Sequence, residues 1–193
     1  MSLGPVFDAA LAGQAACAEA GLPHCVIGGV ALQRWGEPRF TADADLSVLV
    51  EPGGEDAAAR ALLDRLSPRI DDAADFARRT RVLLVKSPAG VGIDIVLAGL
   101  PFEQRVVSRS SQWVLDDSHR LVTCSAEDLI VMKAFAARDR DWADVTGILQ
   151  RQGPKLNLDQ IRRELDPLVK AKEEPEIQVE LERRIDMHVG GNS

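Results

Sequence analysis

Asp43 and Asp45 are the residues whose types and spacing best fit chemistry on phosphate groups. One residue separates them on a predicted strand, so both carboxylates point to the same face of the sheet. Neighbouring carboxylates repel each other, and a bound Mg²⁺ or Mn²⁺ is the usual way for them to stay ionised in a partly enclosed site. Asp94 lies inside the mostly apolar run 91–97, from which a neighbouring strand can bring it to the same cation.

Gly28 and Gly29 form a second feature, a turn between a predicted strand and a predicted short helix. Glycine allows a phosphate to approach the backbone closely, and the N–H groups at a helix N-terminus bind anions. Arg39 and Thr41 precede the acids and can reach phosphate oxygens, Arg39 as a charged donor. A phosphate-binding turn followed by a carboxylate pair predicts transfer of a nucleotidyl or phosphoryl group from a nucleoside triphosphate.

Each feature also has an ordinary structural explanation. Asp43 and Asp45 can be solvated acids at the exposed start of a strand, and a Gly-Gly turn is often purely steric. Asp94 is harder to explain in this way, because an unpaired carboxylate inside an apolar run is costly and needs a cation or a donor. The combination of the three features favours a functional site.

The spacing of apolar residues predicts the elements that hold these residues. Strands and helices alternate through the first half of the chain, whereas the rest is helical. The predicted strands cover 24–27, 41–50, 82–86, 91–97, 112–115 and 120–123. The predicted helices cover 5–20, 30–35, 55–66, a short stretch beyond Pro101, and four segments after Ser125, while the acidic stretch 71–75 is predicted to be a solvated connection.

The predicted fold class is therefore α+β, a small mixed β-sheet flanked by helices with a C-terminal helical portion. We expect two regions, an α+β core over 1–124 and a helical portion over 125–193 that packs on the core. Ser125 followed by Asp128 indicates a helix N-cap, and either Asp139 or Asp141 can cap the next helix. Lys133 lies on an otherwise apolar helix face, where it either extends to solvent or contacts a ligand.

The first half of the chain resembles the DNA-polymerase-beta-type nucleotidyltransferase superfamily. The resemblance rests on the Gly28-Gly29 turn, the spacing to Asp43-Ala44-Asp45-Leu46 and the later Asp94. It implies the nucleotidyltransferase fold and a site in which three acids bind two divalent metals, Mg²⁺ or Mn²⁺. Asp43 and Asp45 would bind both metals, and Asp94 would bind the metal that helps to activate the acceptor hydroxyl.

The second half is similar to the abortive-infection (AbiEii-type) toxin nucleotidyltransferases. The similar residues are Asp128-Leu129-Ile130-x-x-Lys133 and, after Arg138-Asp139-Arg140, Asp141-x-x-Asp144. The resemblance implies that Lys133 contacts the triphosphate, that Asp141 is an acid of the catalytic site and that Asp144 supports it. Many of these toxins have Ser after the first Gly, whereas this chain has Gly29.

Composition bounds the remaining possibilities. The 193 residues are 46% hydrophobic and 27% charged, as in ordinary soluble proteins, and 23 Lys and Arg against 30 Asp and Glu give a net charge of -7. This balance disfavours a general polyanion-binding surface but leaves room for a local basic patch. Cys17, Cys25 and Cys124 have no metal-binding spacing and are expected to be reduced and buried. With no signal peptide and no membrane-spanning run, we expect the cytoplasm.

The sequence thus predicts an enzyme that moves a nucleoside monophosphate from a triphosphate to an acceptor hydroxyl. The acceptor stays open among tRNA, proteins and small molecules. The toxin resemblance implies an antitoxin partner. The alternative is a non-catalytic nucleotide-binding or antitoxin-like module of the same fold, against which intact Asp43, Asp45 and Asp94 argue.

Overall fold

The computed structural model describes residues 3–189, and within them it contains a seven-stranded sheet and nine α-helices. The strands are β1 (His24–Ile27), β2 (Ala44–Leu49), β3 (Ser67–Pro68), β4 (Val82–Lys86), β5 (Gly92–Ala98), β6 (Ser111–Val114) and β7 (Arg120–Thr123). The helices are α1 (Pro5–Glu19), α2 (Gly28–Trp35), α3 (Glu55–Leu63), α4 (Ala73–Thr80), α5 (Pro101–Ser108), α6 (Ala126–Ala136), α7 (Asp139–Gln152), α8 (Leu158–Lys172) and α9 (Glu176–His188).

Two compact units divide the described chain. The first comprises the chain up to Ala31 together with Phe40–Cys124, and the second comprises Leu32–Arg39 and the chain from Ser125 onward. The first unit contains the whole sheet, and the second is helical. The predicted α+β class with a mixed sheet and a helical C-terminal portion is confirmed.

The sheet has the strand order β3-β4-β5-β2-β1-β7-β6. Its centre is mixed: β2 runs parallel to β5 and antiparallel to β1, and β1 runs parallel to β7. The predicted hairpin is present as the antiparallel pair of β4 and β5. The two central neighbours β2 and β5 are in register from Ala44 and Ile93 onward, which fixes the acids at the start of both strands side by side.

Helix α1 covers the core of the first unit. Pro5 occupies its first turn, where a missing N–H costs nothing, and its small residues Ala9, Gly13 and Ala16 are buried. A side chain at Gly13 would press against Leu46 and Ile93, so the glycine sets how closely the helix approaches the sheet. The three cysteines Cys17, Cys25 and Cys124 are buried in this unit, as expected.

The second unit is held by four helices and the segment Leu32–Arg39. The predicted Ser125 cap is present: its hydroxyl accepts a hydrogen bond from the Asp128 N–H at 3.1 Å. Asn157 caps α8 in the same way. Among the described residues no helix combines the length and apolar character needed to cross a membrane.

The structure corrects several sequence expectations. Asp43 lies just before β2 rather than in the strand, because pairing with β5 begins at Ala44. The stretch 71–75 is not merely a connection, since α4 begins at Ala73; its buried Ala73 and Ala77 form one face. Acids near a helix N-terminus also favour that start.

Asp141 is not an N-cap. Helix α7 begins at Asp139 with Arg138 as its N-cap, so Asp141 lies within the first turn, where its carboxylate meets cations instead of backbone N–H groups. The two-residue strand β3 was also not predicted. It consists of Ser67 and Pro68 and pairs with the end of β4, too short a segment to show any periodicity.

Candidate active site

The Gly-Gly turn holds Asp45 against the start of α2. Gly28 has a φ of 62°, which favours glycine, and a Cβ at this position would overlap the Asp45 carboxylate. The Gly29 N–H lies 3.4 Å from Asp45 Oδ2 and donates to it. Gly28 is thus required both by its backbone conformation and by the closeness of Asp45.

Thr41 is the second side chain that the turn accommodates. A Cβ at Gly29 would overlap the Thr41 side chain, whose hydroxyl donates to the Asp43 carbonyl oxygen at 3.2 Å. The hydroxyl therefore lies beside the backbone at the N-terminal end of α2. Thr41, from a neighbouring segment, thus fills the space that a side chain at position 29 would occupy.

Three acids lie at the same end of the two central strands. Asp45 and Asp94 are direct partners in the parallel register of β2 and β5, and Asp43 lies two residues before Asp45. The Asp43 side chain is 48% exposed and that of Asp94 is 32% exposed. Burial raises the pKa of Asp94 above its ordinary value; Arg69 counteracts this shift, and the charge of Asp43 adds to it.

Arg69 is the site residue that the sequence did not predict. Its Nη2 lies 2.7 Å from Asp94 Oδ1, and its Nη1 lies 3.6 Å from Asp43 Oδ1. The contact with Asp94 is an ion pair rather than an aligned hydrogen bond, because the buried Oδ1 accepts none from the described residues. Sequence offered no signal for Arg69, because β3 places it and β3 has only two residues.

The donor set suits a hard divalent cation. Asp43, Asp45 and Asp94 offer carboxylate oxygens, which Mg²⁺ and Mn²⁺ prefer, and the buried Asp94 Oδ1 has no aligned donor. The described residues contain no group of three or more His, Cys, Asp or Glu already arranged around a metal position. What lies between Asp43 and Asp94 is the positive charge of Arg69.

A separate ion network forms within the second unit. Lys133 Nζ lies 3.0 Å from Asp141 Oδ1 and 2.9 Å from Asp144 Oδ2. Arg39 donates two hydrogen bonds to Asp144, from Nε at 2.8 Å and from Nη2 at 2.9 Å. Arg138 contacts the other carboxylate, that of Asp141. We call these five residues the Lys133 network.

The Lys133 network holds its acids fully ionised. The side chains of Asp141 and Asp144 are 0% and 3% exposed. Burial alone would raise the pKa of each carboxyl, but hydrogen bonds and charge from Lys133 and the flanking arginines outweigh burial and lower both pKa values. The arginines face solvent, since the Arg138 side chain is 57% exposed and that of Arg39 is 37% exposed.

The predicted site residues thus fall into two groups. Gly28, Gly29, Thr41, Asp43, Asp45 and Asp94 belong to the first unit, whereas Arg39, Lys133 and Asp141 belong to the second. Arg39 was expected to act with Thr41 on phosphate; its contact in the structure is Asp144. The catalytic and binding roles of all nine residues stay predictions.

One cleft of the first unit has a different character. It encloses about 690 Å³ at the carboxyl ends of β2 and β5, opposite the end that carries the acids. Its lining is mainly aliphatic, including Leu22, Leu49, Ala58 and Ala98. Such a surface does not match a triphosphate, which requires donors and positive charge.

Comparison with solved structures defines the class of this fold. The antibiotic-resistance factor ANT(2'')-Ia in solution is similar with a TM-score of 0.52 and 14% identity, over 86% of this chain and 91% of that one. An antigenic nucleotidyltransferase-like protein from Paracoccidioides brasiliensis has a TM-score of 0.52 and 16% identity, over 93% of this chain and 95% of that one. The fold is that of nucleotidyltransferases.

The family follows from the sequence match. Residues 10–189 match the model of the nucleotidyl transferase AbiEii toxin family, which belongs to type IV toxin-antitoxin systems. The chain belongs to this family. No curated protein matches the chain. The match confirms the predicted resemblance and supports nucleotidyl transfer from a nucleoside triphosphate and an antitoxin partner, as the family implies.

Proposed function

We propose that this protein transfers a nucleoside monophosphate from a nucleoside triphosphate to an acceptor hydroxyl and releases pyrophosphate. The observation that carries the proposal is the register of Asp45 beside Asp94, with Asp43 two residues away and the Gly28-Gly29 helix start in contact with Asp45. Membership of the toxin family supports the same reaction class.

The acids of the site are proposed to hold Mg²⁺ or Mn²⁺. When bound, the metal would supply positive charge to the triphosphate and lower the pKa of the attacking hydroxyl. As the resemblance implies, Asp43, Asp45 and Asp94 would hold the metal, and Asp94 would serve the ion that helps to activate the acceptor hydroxyl. Burial raises the pKa of Asp94, and a carboxyl that is costly to ionise in the free protein gains when a cation arrives, which supports this assignment.

The N-terminal end of α2 is proposed to bind the phosphates. In the free protein the Gly29 N–H makes a long contact of 3.4 Å with Asp45 Oδ2, and a phosphate that binds here would take the place of that contact. Thr41 lies against the same turn and can add its hydroxyl. In this arrangement the residues orient the triphosphate and neutralise its charge without forming a covalent bond to it.

The role proposed for the Lys133 network rests on the resemblance to the toxin family. Lys133, Arg39 and Asp141 are proposed to act on the nucleotide, as the toxin resemblance implies for Lys133 and Asp141. The network carries three cations and two carboxylates, so it has a net positive charge available to an anion. Asp144 orients Arg39 and Lys133 within it.

A labelling assay tests the reaction. Purified protein is incubated with each α-labelled nucleoside triphosphate, Mg²⁺ or Mn²⁺, and total tRNA, a protein extract or an aminoglycoside panel. The expected result is transfer of label by the wild type and a fall of at least about a hundredfold in Asp45→Asn. The matched control is Asp71→Asn, which neutralises an exposed acid of the same unit and should transfer at the wild-type rate.

The labelled species identifies the acceptor class. Label on RNA, on protein or on a small molecule separates the three acceptors that the sequence leaves open. Metal-dependent binding of nucleotide without any transfer would instead support the non-catalytic module. Absence of both binding and transfer would refute the proposed site.

A further inference from the structure

Arg69 is placed across the sheet from the acids by its backbone. It directly follows β3, and its N–H donates to the Leu84 carbonyl oxygen of β4 at 3.0 Å. Leu84 is in turn the register partner of Asp94 on β5. The Arg69 side chain therefore starts two strands away from Asp94 and extends over β4 to reach it.

Gly92 leaves the space in which Arg69 meets the second acid. A Cβ at Gly92 would overlap both Asp43 Oδ1 and Arg69 Nη1. Any other residue at this position would displace one of the two. The contacts of Arg69 with Asp43 and Asp94 thus occur at a place where the sheet lacks a side chain.

The charges around Arg69 do not balance. One guanidinium faces two carboxylates directly, with the third, Asp45, next to Asp94 in the sheet. The distance of 3.6 Å to Asp43 exceeds that of a hydrogen bond, and the ion pair with Asp94 lacks hydrogen-bond alignment. Arg69 is one-third exposed, so water can replace its contacts when it leaves.

The geometry points to Arg69 and a divalent cation as alternative partners of Asp43 and Asp94. In the free protein the guanidinium supplies the positive charge, and a metal ion can enter only when Arg69 withdraws from both acids. Arg69 is therefore a positioning residue that sets how tightly the site takes up metal. This inference rests on the proposed function, because it assumes that these acids are the metal ligands.

Mn²⁺ titration without nucleotide tests the inference directly. Free Mn²⁺ is measured by electron paramagnetic resonance for the wild type and for Arg69→Gln. We expect Arg69→Gln to bind Mn²⁺ about fivefold more tightly, as expected from removal of an ion pair of this exposure. The added uptake should vanish when Asp45→Asn is combined with Arg69→Gln, which assigns it to this site.

Two further variants serve as controls for the Mn²⁺ titration. Arg79→Gln removes an exposed arginine that pairs with Asp72 at 3.3 Å in the same unit, and it should leave Mn²⁺ affinity unchanged. Arg69→Lys keeps the charge but offers a single ammonium in place of a fork, so its affinity should lie between the wild type and Arg69→Gln. If Arg69→Gln fails to fold, the Mn²⁺ affinity of Arg69→Lys is compared with that of the wild type instead.

Equal or weaker Mn²⁺ binding by both Arg69 variants would overturn the inference, as would the absence of any uptake that depends on Asp45. The nucleotidyl-transfer assay separates this failure from failure of the proposed function. Transfer that depends on Asp45, combined with unaltered Mn²⁺ affinity in Arg69→Gln, would refute only the role of Arg69. Loss of both signals would refute the site itself.

Discussion

The two groups of ionised residues differ in how their charges are matched. In the first unit, Asp43 and Asp94 share one guanidinium, that of Arg69. In the Lys133 network, two deeply buried carboxylates are served by three cations. Burial raises the pKa of Asp94, whereas hydrogen bonds and charge from the cations outweigh burial and lower the pKa values of Asp141 and Asp144.

The difference separates a site that lacks positive charge from one that has more positive charge than its own two acids require. A carboxylate that is costly to ionise in the free protein gains when a cation arrives, and this gain can drive metal binding. A carboxylate that is already paired and hydrogen-bonded instead stabilises the fold. The acid site is thus suited to binding a cation, whereas the paired acids of the Lys133 network stabilise their own unit while its cations remain suited to an anion.

The largest expected effect comes from breaking the Lys133 network. Lys133→Met leaves Asp141 and Asp144 with fewer partners in a buried place, so we expect the free energy of unfolding to fall by about 3 kcal/mol. Urea denaturation measures the change. Lys170→Met, which removes an exposed pair with Asp166, should change it by less than about 0.5 kcal/mol. An equal fall in the free energy of unfolding for the two variants would show that the Lys133 network stabilises the fold no more than an exposed ion pair does.

The second test compares one acid from each region. Asp144→Asn loses charged hydrogen bonds from Arg39 and should lower the free energy of unfolding by about 2 kcal/mol. Asp94→Asn should not lower it at pH 7, because the folded protein already disfavours the ionised form of Asp94. Both variants are measured without metal. A larger loss for Asp94→Asn would reverse the comparison.

The third test concerns steric rather than electrostatic fit in the acid site. Gly29→Ala should destabilise the protein by about 1 kcal/mol, because its Cβ would overlap Thr41. Thr41→Gly in the same chain should recover most of the loss, because both the hydroxyl and the Cβ of Thr41 would overlap the added methyl, and thermal unfolding of the single and double variants gives the coupling between the two positions. Additive losses would show that the two side chains do not compete for space.

The smallest expected effect is a difference in pH dependence. The lowered pKa values of Asp141 and Asp144 add stability that is present above the unfolded pKa, near 4, and lost as pH falls through the folded values. The raised pKa of Asp94 has the opposite sign: it costs stability at neutral pH, and the cost is relieved as pH falls through the folded value. As pH falls from 7 to 4, the wild type should therefore gain stability relative to Asp94→Asn. Melting temperatures of both proteins over this range measure the difference, and a constant or decreasing difference would contradict the prediction.

Local motifs explain why much of the acid site was predictable. The Gly28-Gly29 turn, the Asp43 and Asp45 pair and the hairpin with Asp94 each show within a short stretch of sequence. Their mutual placement follows from strand pairing, which alternating apolar residues indicate. The general fold class was accessible for the same reason.

The unpredicted features depend on contacts between distant segments. Arg69 reaches Asp94 because a two-residue strand pairs with β4, and no sequence period can show such a strand. Arg39 and Asp144 meet across 105 positions of sequence, so a search for local ion pairs could not join them. The helix start at Ala73 was hidden by its acidic surroundings, which indicate either a loop or the first turn of a helix.

The buried thiols have a practical consequence. Burial raises the pKa of Cys17 to about 12, so almost none of it is a thiolate near neutral pH, and Cys25 and Cys124 are equally enclosed. All three cysteines of the sequence lie in the first unit. The rate at which a thiol reagent modifies the native protein thus measures how often the sheet-containing unit opens. It does not report fraying of the helices that follow Ser125.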